Sequence, residues 1–194
     1  MIKKVFKKEY LLFIFLLIAI LSTIIIKPLG DLDEIWNYNV AKNMSNGKIP
    51  YKDISTITTP LLPAINSIFL SIFGNQLIIM RILAAILGAS ILFTIFKIFK
   101  KLTKETNISM ICTLLIGILL RDVYCIEYNF ATLLITLIIL YLEIKNSQNK
   151  KESQKTLKHN LILGVLAGLA ICTKQSTGLM IAIATAINPV FNKK

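Results

Sequence analysis

The chain predicts an all-α fold, a polytopic transmembrane helical bundle, and three observations carry that expectation. Apolar residues fill 55% of 194 positions, and the mean hydropathy is +0.70. Charged residues make up only 16% and are bunched, which leaves long stretches without any. A soluble domain of this size would spread polar residues through every helix to cover its surface. Finally, 15 of the 22 Lys and Arg residues fall in four patches: Lys3 to Lys8, Lys97 to Lys104, Lys145 to Lys158, and Lys193 with Lys194. These alternate with nearly neutral segments, the pattern of cytoplasmic loops in multi-pass proteins.

The same distribution accounts for the net charge of +12 without a nucleic-acid partner. Cys112, Cys125 and Cys172 are odd in number and scattered, so they form neither a disulfide framework nor a metal-ligand spacing. The single histidine, His159, sits in a Lys-rich segment, which argues against a zinc site. No cofactor is called for, and a divalent metal stays open. Asn43 and Asn107 each begin a glycosylation tripeptide, but the heavy use of Lys, Ile and Asn points to a bacterial source in which such tripeptides carry little meaning. The expected location is the bacterial plasma membrane.

In chain order, the first span is expected at 10–26. It enters from the cytoplasm because Lys3, Lys4, Lys7 and Lys8 precede it, and it is too long for a signal-peptide core. Residues 27–74 form an external loop with two short helices. The first covers Asp33 to Asn46, with Trp36, Val40 and Met44 recurring on one face, Asp31 and Glu34 placed as a capping box, and Gly47 as its stop. The second starts at Pro60 and ends at Gly74, and its polar breaks suit a membrane-surface helix. Further spans are expected at 77–99, 108–120, 130–144, 161–172 and 179–190, with a cytoplasmic loop at 145–159. Three of these runs are shorter than the ~20 residues a crossing needs. Flanking residues must extend them. The arrangement puts 15 basic and 4 acidic residues on one side, against 7 and 6 on the other.

Among residues that could carry chemistry, Asp33 and Glu34 come first. Acids in a first helical turn complement the helix dipole, and Asp31 is read as a cap. Three acids within four positions beside a membrane face exceed what capping requires. Gly164 and Gly168 are read as a small-residue helix contact. Trp36, Tyr38 and Tyr51 suit an interfacial belt as well as they suit a sugar-stacking platform.

A first span followed by a short helix that opens on Asp33 and Glu34 resembles the polytopic C-type glycosyltransferases, which include protein O-mannosyltransferases and lipid A aminoarabinose transferases. The resemblance continues through Ile49 to Asp53, Thr59 to Pro63, Phe73 to Asn75 leading into Arg81, Glu127 to Asn129, and Thr173 to Gln175. It implies transfer of a sugar from a polyprenyl-phosphate donor to an acceptor at the outer membrane face. By that resemblance Asp33 is the base for the acceptor hydroxyl, and Glu34 positions donor or acceptor. The departing phosphate gains charge and needs a cation. Lys174, beside Gln175, is the first candidate, with Arg121 and Arg81 behind it. Family members carry more spans, so the chain reads as the N-terminal part of such a protein, or one that needs a partner chain. The acceptor is not specified by these residues.

Two other readings stand beside the enzyme. A transporter-like bundle would place ionisable residues at mid-membrane, whereas these runs are almost free of charge. A non-catalytic membrane scaffold would not require the outward acids or Lys174.

Overall fold

The computed structural model describes residues 2–28, 32–120, 124–148 and 153–191. Among these described residues eight helices form: α1 (Ile2–Ile24), α2 (Leu32–Ser45), α3 (Leu61–Phe73), α4 (Leu77–Thr103), α5 (Thr106–Leu119), α6 (Tyr128–Ser147), α7 (Ser153–Thr173) and α8 (Gln175–Phe191). Among the described residues there is no strand, only an isolated bridge between Pro50 and Ile54. The protein is an all-helical bundle.

Each apolar run expected to cross the membrane is helical over nearly all its length, although 10–26 and 108–120 overrun the ends of α1 and α5, and α7 and α8 are longer than the runs within them. Residues 153–159, expected as part of a loop, are the first two turns of α7. Hydropathy registers where charge begins, whereas the backbone stays helical through Lys and Gln, which favour helix. Among the described residues two helices are long and apolar enough to cross a membrane, α4 with 27 residues and α6 with 20. Shorter apolar helices occupy 9–24, 61–73, 106–119, 157–173 and 175–187.

The centre of the bundle is α4, which touches α1, α5 and α6. From α1, Leu12, Leu16, Ile20 and Ile24 are buried at a spacing of four, one stripe of a helix. They meet the Ala84, Ala85, Gly88 and Ala89 surface of α4, where small side chains let the backbones approach. Such contact matters in lipid, where tails compete equally for apolar surface and close packing holds helices together. Gly88 is required here, because a Cβ would lie 2.6 Å from the Tyr124 ring. Phe13 and Phe93 add an edge-to-face contact at 5.5 Å.

In the first excursion, α2 packs on α3. The face of α2 differs from its sequence expectation. Buried are Glu34, Asn37, Val40 and Ala41, while Trp36 is 37% exposed. The apolar period of Trp36, Val40 and Met44 is overridden because Glu34 turns inward to a buried arginine. Gly47 does stop the helix. Its φ is +85° and its N–H reaches the Met44 carbonyl at 2.9 Å. On α3, Ile65, Ile68, Phe69 and Ile72 form an exposed apolar stripe, as a membrane-surface helix requires.

Gly164 and Gly168 do not make the contact expected of them. A Cβ at either would meet nothing within 4 Å, and α7 packs instead through Leu163, Ala167 and Ala170.

At the lysine-rich end, Glu9 of α1 accepts hydrogen bonds from Lys97 and, at 2.6 Å, Lys100 of α4. Glu9 lies just ahead of the apolar run. Burial opposes its ionisation, yet the hydrogen bonds from Lys100 and Lys97 prevail and hold its carboxyl below the usual glutamate range. A carboxylate with a depressed pKa stabilises the fold at neutral pH, and that contribution fades as pH falls through the lowered value. Glu9→Gln should therefore cost about 1 kcal/mol at pH 7. Thermal unfolding in detergent checks this, and the gap from wild type should close as the pH falls through the lowered carboxyl range.

Candidate functional site

The two ends of the bundle differ in chemistry. The α4 and α6 helices run parallel: their C-terminal ends meet where Gln148 Nε2 donates to the Lys101 carbonyl at 3.2 Å. Their N-terminal ends converge on the start of α2. There α7 arrives antiparallel, bringing Lys174 to Asn129. Asp33, Glu34, Arg81, Tyr128, Lys174 and Gln175 thus gather at the end opposite Lys97, Lys100 and Lys101.

Arg81 fixes the first turn of α2. Its Nη1 donates to Glu34 Oε1 at 2.7 Å, and Nη2 donates to the carbonyls of Lys27 at 2.9 Å and Pro28 at 2.6 Å. Arg81 is 3% exposed and Glu34 2%. An ion pair this dry needs hydrogen bonds to hold it; Nη1 and Nη2 make them, while Nε is buried without a partner among the described residues. These bonds tie the end of α1, the start of α2 and the top of α4 into one unit. Both side chains point into the protein, away from the open surface.

Asp33, the neighbour of Glu34, is left half-buried at the edge of this unit. Its Oδ2 accepts from Tyr128 Oη at 2.5 Å, and its own carbonyl accepts from Asn37 Nδ2 at 2.8 Å. The Tyr128 ring, at the first position of α6, also carries Lys174. The ammonium nitrogen stands 5.2 Å from the ring centroid, a cation–π geometry, and donates to Asn129 Oδ1 at 2.5 Å. One phenol therefore links carboxylate and ammonium.

Lys174 owes its place to a tight hairpin. α7 ends at Thr173 and α8 begins at Gln175, so Lys174 alone joins them. Its N–H reaches the Ala170 carbonyl at 2.9 Å, and its carbonyl accepts from Gly178 N–H at 2.8 Å. A Cβ at Gly178 would fall 2.3 Å from the Ile171 nitrogen. Only glycine permits that approach.

Beside Lys174 is a cavity of about 230 Å³ lined by Thr58, Thr59, Tyr128, Gln175 and Ser176 among others. Its threonine wall is held by Tyr51, whose Oη donates to the Thr58 carbonyl at 2.9 Å. The lining is rich in hydroxyls with one cation, a set that suits sugar hydroxyls and a phosphate. Among the described residues no three His, Cys, Asp or Glu side chains gather as a metal site.

Of the residues singled out from sequence, the structure brings Asp33, Lys174 and Gln175 to one place and pairs Glu34 with Arg81 behind them. Arg121, and Asp31 with its capping role, lie outside the described residues. Tyr128 and Asn129 were quoted only as part of a motif, with no role. Nothing local in the sequence joins Tyr128 to an aspartate 95 positions earlier.

The family model described as dolichyl-phosphate-mannose-protein mannosyltransferase matches residues 58–192. The chain belongs to this family. It is accordingly a membrane glycosyltransferase of mannosyltransferase type, and the matched part holds Arg81, Tyr128, Lys174 and all of the cavity lining except Ile57. Asp33 and Glu34 precede the mannosyltransferase match. No curated protein and no solved structure matched the chain.

Three variants probe this architecture. Arg81→Ala strands a buried carboxylate and should cost about 3–5 kcal/mol. Glu34→Gln combined with Arg81→Met should recover part of that loss, as measured by thermal unfolding in detergent. Gly178→Ala should separate α7 from α8, read as faster protease cleavage at Lys174.

Proposed function

We propose that this mannosyltransferase-family protein transfers a sugar from a polyprenyl-phosphate donor to an acceptor hydroxyl at the outer face of a bacterial plasma membrane. Its N-terminus lies in the cytoplasm. The observation that carries the reading is the single Tyr128 side chain, which joins the Asp33 carboxylate to the Lys174 ammonium beside a hydroxyl-lined cavity. The grouping of lysines at the other end supports the orientation.

In this reading Asp33 takes the proton of the acceptor hydroxyl as its oxygen attacks the anomeric carbon. The bond from that carbon to the phosphate oxygen breaks, and the phosphate leaves with the electron pair. Attack from the face opposite the phosphate inverts the anomeric centre. Lys174 stabilises the charge growing on the phosphate, with Gln175 as a neighbouring donor and Arg121 as a further cation. Tyr128 orients Asp33. Glu34 and Arg81 act as positioning residues that hold α2 in place.

A second reading, a non-catalytic subunit docked on a partner chain, is favoured by the unpacked Gly164 and Gly168 on α7. A transfer assay in membranes with polyprenyl-phosphate sugars separates the two. Asp33→Asn should lower turnover by roughly 10²-fold or more, Lys174→Met should also lower it, and Tyr128→Phe should do so less. Unchanged turnover in a folded, inserted Asp33→Asn protein would remove the base from Asp33. Activity lost from none of the three variants would favour the subunit.

A further inference from the structure

The lysine-rich end, remote from Asp33, holds a second built feature. Lys97 and Lys100 are fixed rather than free: Glu9 binds both, and their ammonium groups rest 5.1 and 6.0 Å from the centroids of the Phe93 and Phe96 rings. Lys101 and Lys104 follow on the last turn and cap of α4. Among the described residues neither has an acidic partner. The four lysines, Glu9 and Tyr141 surround a cavity of about 430 Å³. Four ammonium groups face one carboxylate there.

The same Glu9 also opens an apolar cavity of about 570 Å³, walled by Leu11 and Phe15 of α1 and Met110 and Leu114 of α5, over Phe96 of α4. Phe15 and Leu114 are shared with a further cavity of about 400 Å³ that runs on to Tyr124. These spaces form one furrow between α1 and α5, floored by α4. A cationic pocket thus sits at the mouth of a long hydrocarbon groove.

We propose that this end binds an anionic membrane lipid, with its phosphate on Lys101 and Lys104 and an acyl chain along the α1–α5 furrow. The two chemistries select the occupant. A soluble phosphate would use the pocket and leave the furrow unfilled. A zwitterionic lipid would bring its own cation among four lysines. The hydroxyl of Tyr141 adds a donor for a phosphate oxygen. This site is independent of the sugar-transfer reading.

The test uses the purified full chain in nanodiscs and native mass spectrometry to count retained lipid. Wild type should hold phosphatidylglycerol in preference to phosphatidylcholine. Lys101→Gln with Lys104→Gln should weaken that retention about tenfold or more, whereas Lys48→Gln with Lys52→Gln, at the other end, should leave it unchanged. Leu114→Trp, which fills the furrow, should weaken it with the lysines intact. Equal retention of the two lipids, or equal retention by wild type and the Lys101, Lys104 variant, would overturn the proposal. So would thermal protection by inorganic phosphate alone that matches protection by phosphatidylglycerol.

Discussion

The buried contact between Arg81 and Glu34 organises the end of the bundle where chemistry is proposed. One guanidinium satisfies a carboxylate and two backbone carbonyls, and those partners come from the close of α1 and the opening of α2. Because desolvating two charges is expensive, the pair tolerates little displacement once its hydrogen bonds are made. The register of α2 against α4 is thereby set. Asp33, one residue before Glu34, is then turned toward Tyr128 instead of the interior. The placement of the Asp33 carboxylate follows from an ion pair buried within the protein.

The opposite end is held on different terms. Glu9 and the two lysines lie nearer to water, where an ion pair contributes little and salt screens it. From Arg81 to Lys97 the axis of α4 runs about 24 Å at its usual rise per residue, against a hydrocarbon core of roughly 30 Å. The two polar anchors on α4 therefore stand near the two faces of a bilayer. Between them the contact of α1 with α4 is apolar and close, with Ala and Gly on one side and a Leu and Ile stripe on the other.

Much of this was legible in the sequence because lipid imposes a coarse code. Uncharged runs marked α1 and α4 to α8, and lysine patches marked one end. What hydropathy could not show was the true length of α7 and α8, since a helix does not end where lysines begin. It also misassigned the face of α2: period alone favours Trp36, and only the distant Arg81 explains why Glu34 is inside. The candidate site divides in the same way. Asp33, Lys174 and Gln175 stood out as polar groups beyond apolar runs. Tyr128, which joins the first two, did not, because a tyrosine at the head of a span is ordinary until its partners from α2 and α7 are seen. Gly164 and Gly168 mark a small-residue surface that the described helices of this chain leave uncovered, while Gly178 carried the close approach unnoticed.

The single-residue junction between α7 and α8 has a mechanical consequence. A lysine in a slack loop would swing freely toward whatever anion arrived. Here the backbone of Lys174 is pinned where two helices lie closest, and its ammonium is tethered by Asn129 Oδ1 and the Tyr128 ring. A tilt of α7 and α8 would therefore carry the ammonium with it, and the Tyr128 ring would couple that motion to the Asp33 carboxylate.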